Sequence, residues 1–346
     1  MVTCDTCVMN STTAEFVQQG GKCTFCAKDY SEDSQLDRHP KRTGEFDCII
    51  GISGGVDSCY TLVRAVEAGW KPLVFHYDNG WNSNLSVSNI EKIIKKLNLE
   101  LHTFVTPWRT FKSIQNAFFA ADVIDLELPT DHAIFASLYR FAFKSKVRTV
   151  IMGYNSATET ILPKDWAHRK YDFTNIKDIT NKYSQINFSK YPHLTLAQWL
   201  FMEHVYIKRY SILNSLHYDK LAAETYLIDE YGFEPYQGKH AESVFTRFYQ
   251  NYILPEKFGI DKRRAHLSSQ IVSGRITRVA AEEELKFNEY IGSKQIKADR
   301  KLILSKLGMS ESDFKEYLER PRCDHDEYRS SVANYGLLRR MKQKIY

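Results

Sequence analysis

No stretch of this 346-residue chain approaches the roughly 20 apolar residues that a membrane helix needs. The N-terminus also lacks the apolar core of a signal peptide, so the chain reads as cytoplasmic, with no membrane span. There is no internal repeat and no low-complexity tract, which sets aside repeat arrays and tail-like segments. Neither sign of charge dominates. Lys and Arg total 47 against 42 Asp and Glu, a net charge of +5, which suits an anionic substrate without demanding nucleic acid. What is present is a globular composition, 43% hydrophobic and 26% charged, long enough for two domains or one with additions. The 21 Tyr and 20 Phe are expected mainly in cores and pocket walls.

The hexapeptide Ser53-Gly54-Gly55-Val56-Asp57-Ser58 carries the most information. It follows an apolar run, 46–52, that reads as a buried strand, and precedes 59–66, which reads as a helix. Gly54 and Gly55 let the backbone turn tightly and bring N–H groups to an anion. The helix start adds unpaired donors and a positive dipole end, and Ser53 and Ser58 add hydroxyls. Asp57 would repel a bare phosphate, so it is read as the holder of a bridging Mg²⁺. The G-x-x-x-x-G-K-[ST] pattern is missing, so this is not a Walker A loop. S-G-G-x-D-S at a strand–helix junction resembles instead the PP-loop of the ATP pyrophosphatases. That resemblance implies cleavage of ATP between the α- and β-phosphates, AMP transfer to a carbonyl-type oxygen and displacement by a nucleophile.

Strands are expected at 72–77, 101–105 and 148–152, with helices at 86–97 and 131–144. Such alternation predicts a parallel sheet with helices on both faces, with ligands bound beyond the strands' carboxyl ends. From about Thr195 the pattern turns helical, over 196–215, 219–231, 243–253, 278–290 and past Ser310, where Ser310-x-x-Asp313 resembles a capping box. The expected division is 1–30 as a cysteine-bearing segment, 31–45 as a linker, 46–194 as the ATP-binding α/β domain and 195–346 as a helical substrate or partner region.

Cys4-x-x-Cys7 and Cys23-x-x-Cys26 have the spacing of a tetrahedral Zn²⁺ site, structural because four thiolates leave no open position. Disulfides are the rival reading, disfavoured in a cytoplasmic chain, and redox chemistry is a weaker rival. Cys48 reads as a buried strand residue and Cys59 as a packed one, although a helix start can lower a thiol pKa. Cys323 has no visible partner in sequence.

Across nearly its whole length the chain resembles the WbpG-like N-acetyl sugar amidotransferases. The residues that carry this are the cysteine segment, the loop, His76-Tyr77-Asp78-Asn79-Gly80, Met152-Gly153-Tyr154-Asn155, and a block running from Gly238 through Gln250 and Leu254 to Ser268. The block is the more specific signal, because the loop occurs in many enzymes. The implied fold is α/β: a parallel-sheet PP-loop domain, adenine nucleotide α-hydrolase-like, with an N-terminal zinc ribbon and a mainly helical C-terminal region. The implied reaction turns an acetamido group on a nucleotide-activated sugar into an acetamidino group, in surface polysaccharide (lipopolysaccharide O-antigen) biosynthesis. AMP transfer to the amide oxygen would give an O-adenylyl imidate, to which ammonia adds as AMP leaves. ATP, Mg²⁺ and Zn²⁺ are the implied cofactors.

Within that resemblance the loop and Gly153 would hold ATP, and Asp78, at a strand end, would recognise the nucleoside. Lys239 and His240, in a turn after Gly238, are catalytic candidates, or else a solvated lysine and a capping histidine. Lys257, Lys262, Arg263 and Arg264 form a basic run, commonly a solvated face, some of which would bind the anionic sugar. Asn155 and Glu159 fall where related loops carry G-H-N-x-x-D, with Tyr154 in place of the histidine. The implied partners are a separate glutaminase and a cyclase-like subunit, similar to those of histidine biosynthesis, that release NH₃ beside the site. No nucleic acid is expected. The alternative is a PP-loop tRNA-thiolation enzyme, which generally needs further cysteines near the loop. A non-catalytic scaffold is set against the intact loop.

Overall fold

The computed structural model describes residues 1–28, 45–216, 218–236 and 242–336. The expected linker, apart from Glu45, and the candidates Lys239 and His240 lie outside these. A two-stranded hairpin comes first, β1 (Gln18–Gln19) and β2 (Lys22–Cys23), turned by Gly20 and Gly21 at positive φ.

The centre of the molecule is a five-stranded parallel sheet in the order β5-β4-β3-β6-β7. Its strands are β3 (Cys48–Gly51), β4 (Pro72–Asp78), β5 (Leu101–Val105), β6 (Thr149–Ile151) and β7 (Lys208–Tyr210). The central strands read as continuous apolar runs because both sheet faces are covered. Ile49, Leu73, Phe75 and Val150 enter the core on one face. Cys48, Ile50, Val74 and Ile151 enter the core on the other, as a period of two requires.

Helices α1 (Val56–Glu67), α2 (Asn84–Leu97), α3 (Trp108–Ala120) and α4 (Leu128–Lys144) complete the α/β layers. Ser83 caps α2 by accepting from the Ser86 amide. Helix α4 starts at Leu128, with Pro129 in its first turn, earlier than the expected Asp131. A short helix α5 (Ser156–Glu159) and α6 (Phe173–Tyr183) follow β6.

The stretch expected as one helix over 196–215 is not one. Helix α7 (Leu196–Phe201) runs into a π-helical turn, Met202–Tyr206, and the chain then enters β7 before α8 (Ile212–Ser215). Arg148 explains the break. Its guanidinium donates to the carbonyls of Val205 and Tyr206, and its own carbonyl accepts from the Lys208 amide. Backbone groups that would have continued the helix are thereby taken by the sheet edge.

Beyond β7 the chain is helical: α9 (Lys220–Tyr231), α10 (Val244–Phe248), α11 (Leu254–Phe258), α12 (Arg263–Val272), α13 (Arg278–Lys286), α14 (Lys294–Leu307) and α15 (Glu311–Glu319). The Ser310–Asp313 capping box at the head of α15 is formed in both directions. Among the described residues no helix is long and apolar enough to cross a membrane.

Candidate functional site

The 53–58 loop closes the end of β3 and opens α1. Ser58 Oγ accepts from the Ser53 amide at 3.1 Å and lies 3.0 Å from Ser53 Oγ. Gly55 is the N-cap of α1 and provides no side chain to cap its first amides. Gly54 sits at φ +83, and a Cβ there would meet the Ser86 backbone at 2.5 Å. Only glycine fits that approach of the loop to α2. Gly153, after β6, would place a Cβ 3.2 Å from Ser58 Cα, so it lets the two strand ends close together. Because β4 and β6 flank β3 on opposite sides, these ends form the switch point of the sheet.

Two cavities open there. One, about 310 Å³, is lined by Ser53, Gly55, Val56, Asp57, Ser58, Gly153 and Glu159, all expected from sequence. Tyr154 and Glu242, from the motifs that carry the resemblance, line it as well, and so do Lys220, Glu224 and Tyr236, to which no sequence motif points. The other, about 470 Å³, shares Ser53, Ser58, Met152, Gly153 and Glu242 with the first. It has an apolar wall of Phe75, Ile134, Phe135 and Leu138, and polar groups that include Glu127, Asp131, Gln250 and Lys262. Glu127 is nearly buried and accepts from Thr246 Oγ1 at 2.5 Å and Gln250 Nε2 at 3.0 Å.

The helical half is tied to the loop at several points. The Ser83 amide donates to the Glu242 carbonyl, and the Val244 amide to the Trp81 carbonyl. His76 is buried; its Nδ1 donates to the Ile52 carbonyl at 2.8 Å, leaving Nε2 to accept from Asn82 Nδ2. Tyr218 Oη donates to Asp57 Oδ1, and Tyr236 Oη donates to the Gly54 carbonyl at 2.9 Å. Tyr218 and Tyr236 follow Asp57 by many residues, and no local spacing marks them.

Other expected residues lie elsewhere. Asp78 accepts from the Gly80 amide and lines neither cavity. Asn155 is buried and caps α5, accepting from the amide and hydroxyl of Thr158. Lys257 is buried against Asp122 at 3.0 Å and donates to the carbonyls of Tyr317 and Arg320. Arg263 pairs with Asp261 and donates to the carbonyls of Glu284 and Phe287, at the end of α13. Arg264 donates to the Val8 carbonyl. Of the basic run only Lys262 lines a cavity.

Below the larger cavity lies a network of buried charge. Lys170 bridges Asp125 at 2.7 Å and Asp131 at 2.8 Å. Burial opposes the charge on Asp172, but donation from His168, Ser330 and Ser331 outweighs it and holds the carboxyl down at about 2. His132 donates from Nδ1 to the Lys170 carbonyl and accepts the Leu194 amide at Nε2; burial pushes it down to about 4. His325, stacked on His168, is pushed down to about 3, chiefly by burial.

At the N-terminus Cys4, Cys7, Cys23 and Cys26 are all buried, with their sulfurs within 4.8 Å of one another. Crowding drives the thiols apart in acidity: the Cys7 hydrogen bond brings Cys23 down to about 5, while burial pushes Cys26 up to about 11. The cluster rests on α12, where the Ser268 hydroxyl accepts the Val8 amide at 3.2 Å. None of the four cysteines lines either cavity. Cys59 is also buried, and its thiol is pushed up by burial, so the dipole at the helix start does not activate it.

Comparison with known proteins places these features. Residues 242–342 match the family described as LPS biosynthesis protein WbpG-like, C-terminal domain. No curated protein matches the chain. Among solved structures the chain is similar to the U34-tRNA thiolase NcsA from Methanococcus maripaludis with its [4Fe-4S] cluster. The identity is 12%, the TM-score 0.32, and the match covers 72% of this chain and 74% of that one. Two expectations are corrected beside that finding. A structural Zn²⁺ does not stand as the occupant of the cysteine cluster, because four cysteine thiolates are the ligand set of iron–sulfur clusters as well as of zinc. The exclusion of nucleic acid also does not stand, since a net charge of +5 over the whole chain does not exclude it. The chain is thus an α/β protein with a glycine loop at the switch point of its parallel sheet, four buried cysteines placed as a metal site would need them, and a C-terminal part similar to WbpG-like proteins.

Proposed function

We propose that the chain is an enzyme that uses ATP at the 53–58 loop to transfer AMP to a carbonyl-type oxygen. The observation that carries this is the loop itself, with its uncapped helix start, opening on two cavities that share five lining residues. One cavity set can hold a triphosphate and an acceptor side by side. The acceptor oxygen attacks the α-phosphorus, the bond to the β-phosphate oxygen breaks and pyrophosphate leaves. A nucleophile then adds at the activated carbon, and AMP departs with the acceptor's oxygen.

The carboxylate of Asp57, on the cavity beside the loop, is the hard oxygen ligand that a divalent cation shared with the phosphates takes. When bound, such an ion neutralises charge on the triphosphate. The residues do the rest. Ser53, Ser58 and the first amides of α1 hold phosphate oxygens, and the apolar wall of Phe75, Ile134 and Phe135 excludes water from a flat ring.

Two acceptors agree with this site. The first is an acetamido group of a nucleotide-activated sugar, with ammonia as nucleophile, supported by the WbpG-like match over 242–342, whose first residue, Glu242, lines both cavities. The second is a tRNA base carbonyl, with sulfur as nucleophile and the four cysteines holding an iron–sulfur cluster. It is favoured by the cysteine cluster, for which the first reading has only a stapling role. Parallel incubations decide between them: ATP with ammonium and acetamido nucleotide sugars, and ATP with a sulfide source and tRNA. AMP formation with oxygen replaced by nitrogen in the sugar, or by sulfur in the tRNA, identifies the acceptor by mass. Acceptor-independent release of ADP and phosphate would overturn the proposal.

A further inference from the structure

Asp57 lies in the first turn of α1, its side chain on the cavity that the loop faces. A carboxylate free to swing there would point at the phosphates as readily as away from them. It is not free. Tyr218, just before α9, is 3% exposed and donates its hydroxyl to Asp57 Oδ1. Its ring is fixed by Tyr60 of α1, with centroids 5.8 Å apart, and by the core on that face of the sheet. Beyond the far end of α9, Tyr236 donates to the carbonyl of Gly54, the residue held at φ +83. The two tyrosines on either side of α9 thus grip one loop, one by its acidic side chain and one by its backbone.

We infer that Tyr218 is a positioning residue for Asp57, occupying one carboxylate oxygen so that the other is presented to a divalent cation on the ATP phosphates. The inference rests on the proposed ATP site. The phenol hydroxyl is the donor of this pair, because an ionised carboxylate can only accept. A hydrogen bond to a charged acceptor contributes more than a neutral one, so its loss is expected to be measurable in the ion's affinity.

The test is a double-mutant cycle on the full chain, read by electron paramagnetic resonance of Mn²⁺ in the presence of a non-hydrolysable ATP analogue. Tyr218→Phe removes the hydroxyl and keeps the ring against Tyr60. It is expected to weaken Mn²⁺ about tenfold while the thermal midpoint of the ligand-free protein stays within a few degrees. Asp57→Asn is expected to weaken Mn²⁺ more. Adding Tyr218→Phe to Asp57→Asn is expected to cost nothing further, because the tyrosine acts through the carboxylate. An equal tenfold loss in both backgrounds, or unchanged Mn²⁺ affinity in Tyr218→Phe, would overturn the inference while leaving the ATP site in place. A wild-type chain that binds no nucleotide by calorimetry would instead remove the ATP site, and the inference with it.

Discussion

At the residue scale the loop's chemistry depends on a few atoms. Asp57→Asn and Ser53→Ala are each expected to lower AMP formation by about 10²–10³-fold, the size of effect seen when one group that stabilises developing charge is removed. Circular dichroism should show both variants folded; wild-type turnover in either would move the chemistry away from this loop. Gly54→Ala is expected to abolish nucleotide binding for a steric reason, since its Cβ would enter the Ser86 backbone at a positive φ. Full nucleotide affinity in that variant, by calorimetry, would contradict the loop conformation. The loop was legible because its six residues are contiguous and sit between a strand and a helix. Tyr218 and Tyr236 were not, because only the fold brings them back to it. The basic run teaches the converse. Lys257 and Arg263 look like anion binders in sequence, but each is occupied by carboxylate and carbonyl oxygens of its own chain. A charge pattern does not show whether its partner is internal.

At the scale of elements, two features set expectations. Helix α4 carries His132 at its buried face, and the C-terminal segment carries His325 under the same charge network. Both are held neutral, with folded values of about 4 and about 3, below the ordinary histidine range. Below pH ~6.5 the unfolded chain therefore takes up protons that the folded chain refuses, so stability falls as pH drops toward 4. Each histidine contributes at most about 1.4 kcal/mol per pH unit there, and nothing above that window. The urea midpoint should drop between pH 7 and pH 5, and His132→Gln should show a shallower drop; a flat midpoint would contradict the buried neutral state. The second feature is the cysteine hairpin against α12. Cys4→Ser is expected to lose tightly held metal and to expose the Val8–Ser268 contact to hydrogen exchange, whatever the metal is. Unchanged metal content and protection would sink that expectation. Element assignment from sequence succeeded for β4, a continuous apolar run, for α2, whose apolar residues recur at helical spacing, and for β5. It failed at β7, whose three residues, Lys-Arg-Tyr, carry no apolar period, and whose strand state is imposed by Arg148 and the edge of β6.

For the whole molecule, a parallel sheet carries the loop at its switch point, and a helical half supplies walls, clamps and a block that bonds to the turn after β4. That division explains why the nucleotide chemistry was readable and the acceptor was not. The phosphate loop is a short local motif, whereas the larger cavity, proposed for the acceptor, is assembled from β3, β4, β6, α4, α10 and the start of α12. The central claim is that AMP is joined to an acceptor's carbonyl oxygen. It is tested most directly by labelling that oxygen with the heavy isotope, in an acetamido sugar in one arm and a tRNA base in the other, and weighing the AMP released during turnover. The account predicts that in one arm the label moves from the acceptor into the phosphate of AMP. AMP that carries oxygen from solvent water in both arms, with the acceptor's label retained, would contradict it.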